Sequence, residues 1–156
     1  MLKFARVLLA LFVLAPLAFA QPAKAAPAPD AIASKFSVVD GIKIHYLTAG
    51  HGPAVLLLHG YTQTSLMWRP LIPMLTKNFT VIAPDLPGIG EFGIPKDGLD
   101  MKSAAIRIHD LMKSLGVTKS RVVGHDIGLM VAYAYAAQFP AETEKLAVLD
   151  AFLPGV

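Results

Sequence analysis

The chain has 156 residues, of which 54% are hydrophobic and 16% charged, a composition that excludes an intrinsically disordered chain and, at this length, allows one domain with a proper core. It contains no cysteine, which excludes disulfides, cysteine zinc ligands and a thiol nucleophile. The net charge is only +3, and because the 14 Lys and Arg residues form no basic run, we expect no nucleic-acid partner.

The first 20 residues have the pattern of a bacterial export signal. Lys3 and Arg6 form a positive start, an uncharged apolar stretch runs from Val7 to Phe19, and a small-x-small cleavage site follows. We predict a signal peptide over residues 1–20, with cleavage as late as residue 26, and therefore a periplasmic or secreted protein. An uncleaved membrane anchor is the alternative, although the apolar stretch is shorter than the roughly 20 residues that a span needs. After signal cleavage we expect no stable membrane insertion.

Residues 21–33 are rich in Pro and Ala and predict a flexible tether. From residue 34 onward, strand and helix patterns alternate, which predicts a mostly parallel sheet with helices on both faces. The turn dipeptide Asp40-Gly41 predicts an antiparallel hairpin at the N-terminal edge of that sheet. The predicted strands are Lys35 to Asp40, Ile42 to Thr48, Ala54 to Leu58, Phe79 to Ala83, Arg121 to Gly124 and Leu146 to Leu149; the predicted helices are Ser65 to Leu75 with Ser65 as cap, Met101 to Leu115 and Ile127 to Phe139.

One strand-to-helix junction has the form of a nucleophile elbow. Residues 124–128, Gly-His-Asp-Ile-Gly, follow a Val-rich strand and precede an apolar helix, with Asp126 where such elbows usually carry Ser. Glycines on either side make room for a sharp turn, and the helix N-terminus favours an ionised carboxylate. The alternative is an ordinary turn in which Asp126 is the helix N-cap.

Four stretches of the chain together resemble the N-terminal half of an α/β-hydrolase over residues 34–156: LLLHGYTQTSLMWRPLIPML, FTVIAPDLPGIGEF, RVVGHDIGLMVAYAYAAQFP and EKLAVLDAFLP. Within that superfamily they resemble the epoxide hydrolase and dehalogenase branch, which uses an Asp nucleophile. The resemblance implies an α/β-hydrolase fold that is incomplete here. We expect it to lack the helical lid with its tyrosines, the last strands and the catalytic histidine. The resemblance implies no metal and no organic cofactor.

The same resemblance assigns roles to individual residues. Asp126 is the expected nucleophile, and the backbone N–H groups of Tyr61 and Ile127 are the expected oxyanion donors. Asp150, which ends the strand after the elbow helix, is either the acid that orients the histidine or only a turn residue. The family often has Pro where this chain has Thr62, so the loop geometry there stays open. The residues expected to shape the site are His59, Gly60, Gly124, His125 and Gly128.

A carboxylate nucleophile restricts the substrate. Its attack on a saturated carbon gives a stable alkyl ester, whereas its attack on an acyl carbon gives a reactive anhydride. Haloalkane dehalogenases usually carry Trp after the nucleophile and fluoroacetate dehalogenases carry arginines, where this chain has Ile127 and Met130. We therefore predict an epoxide hydrolase-like enzyme that opens a small apolar epoxide through an ester of Asp126. The alternatives are an organohalide substrate, as in a haloacetate or haloalkane dehalogenase, and a non-catalytic truncated product or binding module. The sequence predicts no oligomeric state.

Overall fold

A computed structural model describes residues 31–152 of the chain, in which six strands alternate with short and long helices. The predicted signal peptide and most of the predicted tether lie outside the described residues. The strands are β1 (Ala33–Val39), β2 (Ile42–Ala49), β3 (Ala54–Leu58), β4 (Thr80–Pro84), β5 (Ser120–His125) and β6 (Thr143–Leu149). The helices are a 3-10 helix (Ser65–Trp68), α1 (Ile72–Leu75), α2 (Met101–Ser114) and α3 (Ile127–Gln138).

The six strands form one sheet in the order β1-β2-β4-β3-β5-β6. The last four strands of that order run parallel, while β1 and β2 form an antiparallel hairpin at one edge. The central strand β3 is buried along its whole length, as expected for an uninterrupted apolar run that is covered on both faces. The predicted fold class and the edge hairpin are therefore confirmed.

Alternate residues of β3 supply two separate cores, because successive side chains of a strand point to opposite faces. Leu56 and Leu58 pack in the core under α2 and α3. Val55 and Leu57 pack on the opposite face, together with Trp68 of the 3-10 helix. Helices therefore cover both faces of the sheet, as the alternation of elements predicts.

The helix predicted over residues 65–75 is wrong as a single element, because it is broken into the 3-10 helix and α1. Pro70 lacks the N–H that a continuous helix would need, and its ring would clash with the preceding turn. Pro73 lies in the first turn of α1, where proline is tolerated. The N-cap is Thr64 and not the predicted Ser65: the Thr64 hydroxyl accepts a hydrogen bond from the N–H two residues on, at 3.4 Å.

The opposite edge of the sheet is formed by β6, which pairs only with β5 in the described part of the chain. Its apolar side chains are exposed: Leu146 by 39%, Val148 by 43% and Leu149 by 43%. The strand begins three residues earlier than predicted, because its first half carries polar residues that give no apolar pattern in the sequence.

A buried carboxylate ties the end of β4 to three other segments. Asp85 Oδ1 accepts from the Ser65 N–H at 2.7 Å, and Oδ2 accepts from the Glu91 N–H at 2.9 Å and from His45 Nδ1 at 3.0 Å. Burial by itself would raise the pKa of Asp85, but the hydrogen bonds from Glu91 and Ser65 outweigh it, so its pKa lies below the ordinary value. The ionised carboxylate therefore holds the loop after β4 and the 3-10 helix against β2.

We expect Asp85→Ala to lower the free energy of unfolding by about 3–5 kcal/mol. The substitution removes the acceptor of three donors, which have no other hydrogen-bond partner among the described residues. Urea denaturation followed by circular dichroism measures the loss. Since the pKa of Asp85 is depressed in the folded protein, its stabilisation is present above the unfolded pKa of about 4 and is lost as pH falls toward the folded value. The difference in free energy of unfolding between the wild-type protein and Asp85→Ala should therefore become smaller below about pH 4.

Asp97→Ala serves as the control, because the Asp97 side chain is 91% exposed and pairs only with Arg107 at the surface. Such an exposed pair contributes about 1 kcal/mol or less. An equal loss of stability in the two variants would contradict the role assigned to Asp85.

Candidate active site

Asp126 occupies a strained bend between β5 and α3. Its φ of 52° and ψ of −124° lie outside the regions that non-glycine residues ordinarily adopt. A Cβ on Gly124 would collide with the backbone of Gly128, and a Cβ on Gly128 would lie 2.5 Å from the Leu58 carbonyl oxygen. The glycine on each side of the bend is therefore required for α3 to start this close to the ends of β3 and β5.

Two backbone amides converge on the Asp126 carboxylate. The Tyr61 N–H donates to Asp126 Oδ1 at 2.7 Å, and the Ile127 N–H donates to the same oxygen at 2.6 Å. Among the described residues no hydrogen bond reaches Oδ2. The bond from Tyr61, and after it the bond from Ile127, holds the pKa of Asp126 below its ordinary value against a small opposing effect of desolvation. The carboxylate is therefore ionised at neutral pH, with one oxygen anchored and one oxygen free.

His59 fixes the loop that carries the Tyr61 amide. Its ring is fully buried; Nδ1 donates to the Gly60 carbonyl oxygen at 2.8 Å, and Nε2 accepts from the Leu86 N–H at 2.9 Å. Burial lowers the pKa of His59, against the opposing effects of its bond to Gly60 and of the charge on Asp85. The neutral ring thus joins the ends of β3 and β4, and both of its nitrogens have backbone partners.

The turn after His59 depends on Gly60 and Thr62, which the sequence analysis named, and on Gln63, which it did not. The Gly60 N–H donates to Gln63 Oε1 at 3.0 Å, so the glutamine closes the turn. A Cβ on Gly60 would lie 2.7 Å from His125 Nδ1 and 2.9 Å from Asp126 Cβ, which explains the glycine. Thr62 has a φ of 59°, which proline, fixed near −65°, cannot adopt. A proline at position 62 could not adopt this conformation, so the backbone of this turn differs from that of a turn with proline at the same position.

Asp150 lies beside the elbow and makes no hydrogen bond to Asp126. Its side chain is 88% exposed, and Oδ2 lies 3.6 Å from His125 Nε2. His125 Nδ1 is buried and has no hydrogen-bond partner among the described residues. The structure thus brings Asp126, Tyr61, Ile127 and the shaping residues together, and it leaves Asp150 at the rim, beside the His125 ring.

Within residues 31–152, no group of three or more His, Cys, Asp or Glu side chains is arranged to hold a metal ion. No helix in this part of the chain is long and apolar enough to cross a membrane.

Comparison with known proteins decides the family. A family model described as alpha/beta hydrolase fold matches residues 53–155. The chain belongs to the alpha/beta hydrolase family. It is 41% identical over 120 residues to a soluble epoxide hydrolase of Corynebacterium sp. (strain C12), a match that covers 77% of this chain and 42% of that protein.

Two further relatives lie in the same branch. A fluoroacetate dehalogenase of Burkholderia sp. is 35% identical over 117 residues, which cover 72% of this chain and 38% of that protein. The crystal structure of the epoxide hydrolase CorEH superposes with a TM-score of 0.74 at 36% identity, covering 81% of this chain and 48% of that one. The chain therefore spans less than half the length of these alpha/beta hydrolases.

We expect Gly128→Ala to lower the free energy of unfolding by about 1–3 kcal/mol, because its added methyl group meets the backbone at the end of β3. The loss is read from the midpoint of urea denaturation. Tyr133→Ala is the control. Tyr133 lies on the same helix and is 49% exposed, so its substitution should change the free energy of unfolding by no more than about 0.5 kcal/mol. A Gly128 variant as stable as the control would contradict the packing described for the elbow.

Proposed function

We propose that this alpha/beta hydrolase chain carries the nucleophile of an epoxide hydrolase. The observation that carries the proposal is the asymmetric carboxylate of Asp126, with Oδ1 held by two amides and Oδ2 free of hydrogen bonds among the described residues. A carboxylate in this state attacks without a base, because it is already ionised. The identity of 41% to a soluble epoxide hydrolase supports the choice of substrate class.

The first step forms an ester. Asp126 Oδ2 attacks a ring carbon of the epoxide from the side opposite its oxygen; the carbon–oxygen bond of the ring breaks and the alkoxide takes up a proton. Oδ1 becomes the carbonyl oxygen of the new ester while it still accepts from the Tyr61 and Ile127 amides. Those amides are then already placed for the negative charge that develops when water attacks the ester. Each such donor typically contributes about 2.7–4 kcal/mol to stabilising the transition state.

The second step requires a histidine to activate water and an acid to orient that histidine. We propose Asp150 for the acid, on the basis of its place at the end of β6 beside the elbow. Within residues 31–152 of this protein we assign neither that histidine nor the proton donor for the opening epoxide. The export signal predicted at residues 1–20 would place that protein in the periplasm or outside the cell.

The apolar surroundings of the elbow favour a neutral substrate. A crevice of about 40 Å³ adjoins Ile127 and is lined only by apolar residues: Leu86, Pro87, Ile89, Leu99, Met101, Ala104, Ile127 and Val131. An apolar substituent as small as a methyl group loses little on entering such a crevice, whereas a carboxylate would be desolvated there without a partner.

A dehalogenase is the second candidate, and the 35% identity to a fluoroacetate dehalogenase favours it. The same attack by Asp126 Oδ2 would then expel a halide. Ile127 offers no side-chain N–H to hold that halide, and Met130 offers no cation to a substrate carboxylate. The halide ion released per adduct distinguishes the two candidates.

We expect an aryl epoxide, such as styrene oxide, to form a covalent adduct on Asp126 that accumulates, because no histidine within residues 31–152 hydrogen-bonds to the Asp126 carboxylate and could activate water there. Mass spectrometry of the intact chain and of its peptides measures the adduct and its site. Asp126→Asn should form no adduct. Asp150→Asn is the matched control and should retain the first step. An adduct spread over several carboxylates, or none on Asp126, would exclude the ester mechanism.

We expect the rate of that adduct formation to stay constant from about pH 8 to about pH 5. The pKa of Asp126 lies below its ordinary value, so the nucleophile stays ionised throughout this interval and its fraction does not change. Initial rates of adduct formation in matched buffers measure the profile. A rate that falls in step with a group titrating near neutrality would mean that a base, and not the free carboxylate, limits the attack.

A further inference from the structure

A second arrangement of nucleophile, base and acid lies at the antiparallel edge of the sheet, away from the elbow. Ser34 of β1, His45 of β2 and Asp85 after β4 are joined in sequence by hydrogen bonds. Ser34 Oγ lies 2.8 Å from His45 Nε2, and His45 Nδ1 lies 3.0 Å from Asp85 Oδ2. The pairing of β1 with β2 brings the serine to the histidine, and the Asp85 N–H donates to the His45 carbonyl oxygen at 3.0 Å.

The direction of each hydrogen bond follows from the donors and acceptors. An ionised carboxylate can only accept, so His45 Nδ1 donates to Asp85. When the His45 imidazole carries a single proton, on Nδ1, its Nε2 is an acceptor and the Ser34 hydroxyl donates to it. A hydroxyl that donates to an imidazole, which is itself held by a carboxylate, is the arrangement in which serine is activated as a nucleophile.

The three residues differ in exposure in the way that such a site needs. His45 is 5% exposed and Asp85 is 2% exposed, and the amides of Ser65 and Glu91 also donate to the carboxylate, at Oδ1 and Oδ2 respectively. Ser34 is exposed and therefore open to a reactant. The base and the acid are thus held in place while the nucleophile remains accessible.

A cavity of about 160 Å³ lies over this group. Ser34, His45 and Asp85 line it, and Thr64, Leu66 and Arg69 form more of its wall. Its size suits an acyl group of only a few carbon atoms, since sites for larger ligands run from about 300 Å³ upward. Arg69, which makes no ion pair among the described residues, contributes a cation to the wall of this cavity, and Glu91 contributes a carboxylate.

We propose that Ser34, His45 and Asp85 form a second nucleophilic site, which takes acyl groups from small activated carboxylic esters. Ser34 Oγ adds to the ester carbonyl carbon while its proton passes to His45 Nε2. The bond from that carbon to the alcohol oxygen then breaks, and the alcohol leaves with the proton from His45. Water cleaves the acyl-serine in the same way, which releases the carboxylic acid and restores Ser34. The site is independent of Asp126.

An alkyl fluorophosphonate tests the site, because it phosphonylates activated serines with loss of fluoride and does not require the acyl-serine to be hydrolysed. We expect the label on Ser34 of the full chain, located by peptide mass spectrometry, to form about 100-fold or more faster than on Ser37, since a positioned base contributes about 10²–10⁴-fold. Ser37 is the matched control: it lies on the same strand and bonds Ser114 Oγ at 3.3 Å, without a histidine. Ser34→Ala should lose the label, whereas Ser37→Ala and Asp126→Asn should keep it.

A cysteine pair gives a second readout that does not depend on the fluorophosphonate. In Ser34→Cys the thiol should react with iodoacetamide down to about pH 6, because His45 takes its proton, whereas Ser37→Cys should follow the ordinary thiol pKa of about 8.5. No label on Ser34, or the same pH profile in the two cysteine variants, would overturn the proposal. Ser34, His45 and Asp85 would then only connect β1 to the end of β4 through hydrogen bonds. The epoxide adduct on Asp126, measured in the same preparations, reports separately on the proposed hydrolase function.

Discussion

The candidate site depends on one backbone bend that holds a carboxylate against two amides. Asp126 takes torsions that a side-chain-bearing residue rarely adopts, and such a conformation persists only where its surroundings over-determine it. Those surroundings are the close approach of α3 to the ends of β3 and β5, which Gly124 and Gly128 permit, and the hydrogen bond from Tyr61, which lies 65 residues earlier in the chain. If the bend relaxed, the carboxylate would leave the Tyr61 amide, and nothing else in the described chain would take its place there.

Strand register turns this local bend into a site. In the parallel pair of β3 and β5, Leu58 lies opposite Gly124, so the segments that follow these residues emerge side by side at the carboxyl edge of the sheet. The buried His59 ring then fixes the turn by holding Gly60 on one side and Leu86 on the other. The packing of the buried strands thus sets the distance of 2.7 Å between the Tyr61 amide and Asp126 Oδ1. No local sequence pattern specifies that distance.

The sequence predicted those features that single segments encode. The apolar run of β3 predicted the first and the last residue of that strand, and α2 begins at the predicted Met101 and ends at Ser114, one residue before the predicted Leu115. The strained elbow followed from the spacing of its glycines. Features that depend on pairing across the chain were not accessible: neither the φ of Thr62 nor the three donors on Asp85 has a local pattern. Pro70 is visible in the sequence as a residue that breaks helices. The prediction of one helix over residues 65–75 followed the apolar spacing of its neighbours instead, and it was wrong.

The two carboxylates at the ends of β4 and β5 show why a depressed pKa does not by itself identify a reactive group. Hydrogen bonds lower the pKa of Asp85 and of Asp126 alike. Asp85 has donors on both oxygens, and attack by either one would break contacts that hold three segments together. Asp126 has donors on Oδ1 only, so Oδ2 can form a bond while the anchor stays in place. The distribution of donors between the two oxygens therefore supports the proposal that Asp126 attacks directly, and it argues against direct attack by Asp85.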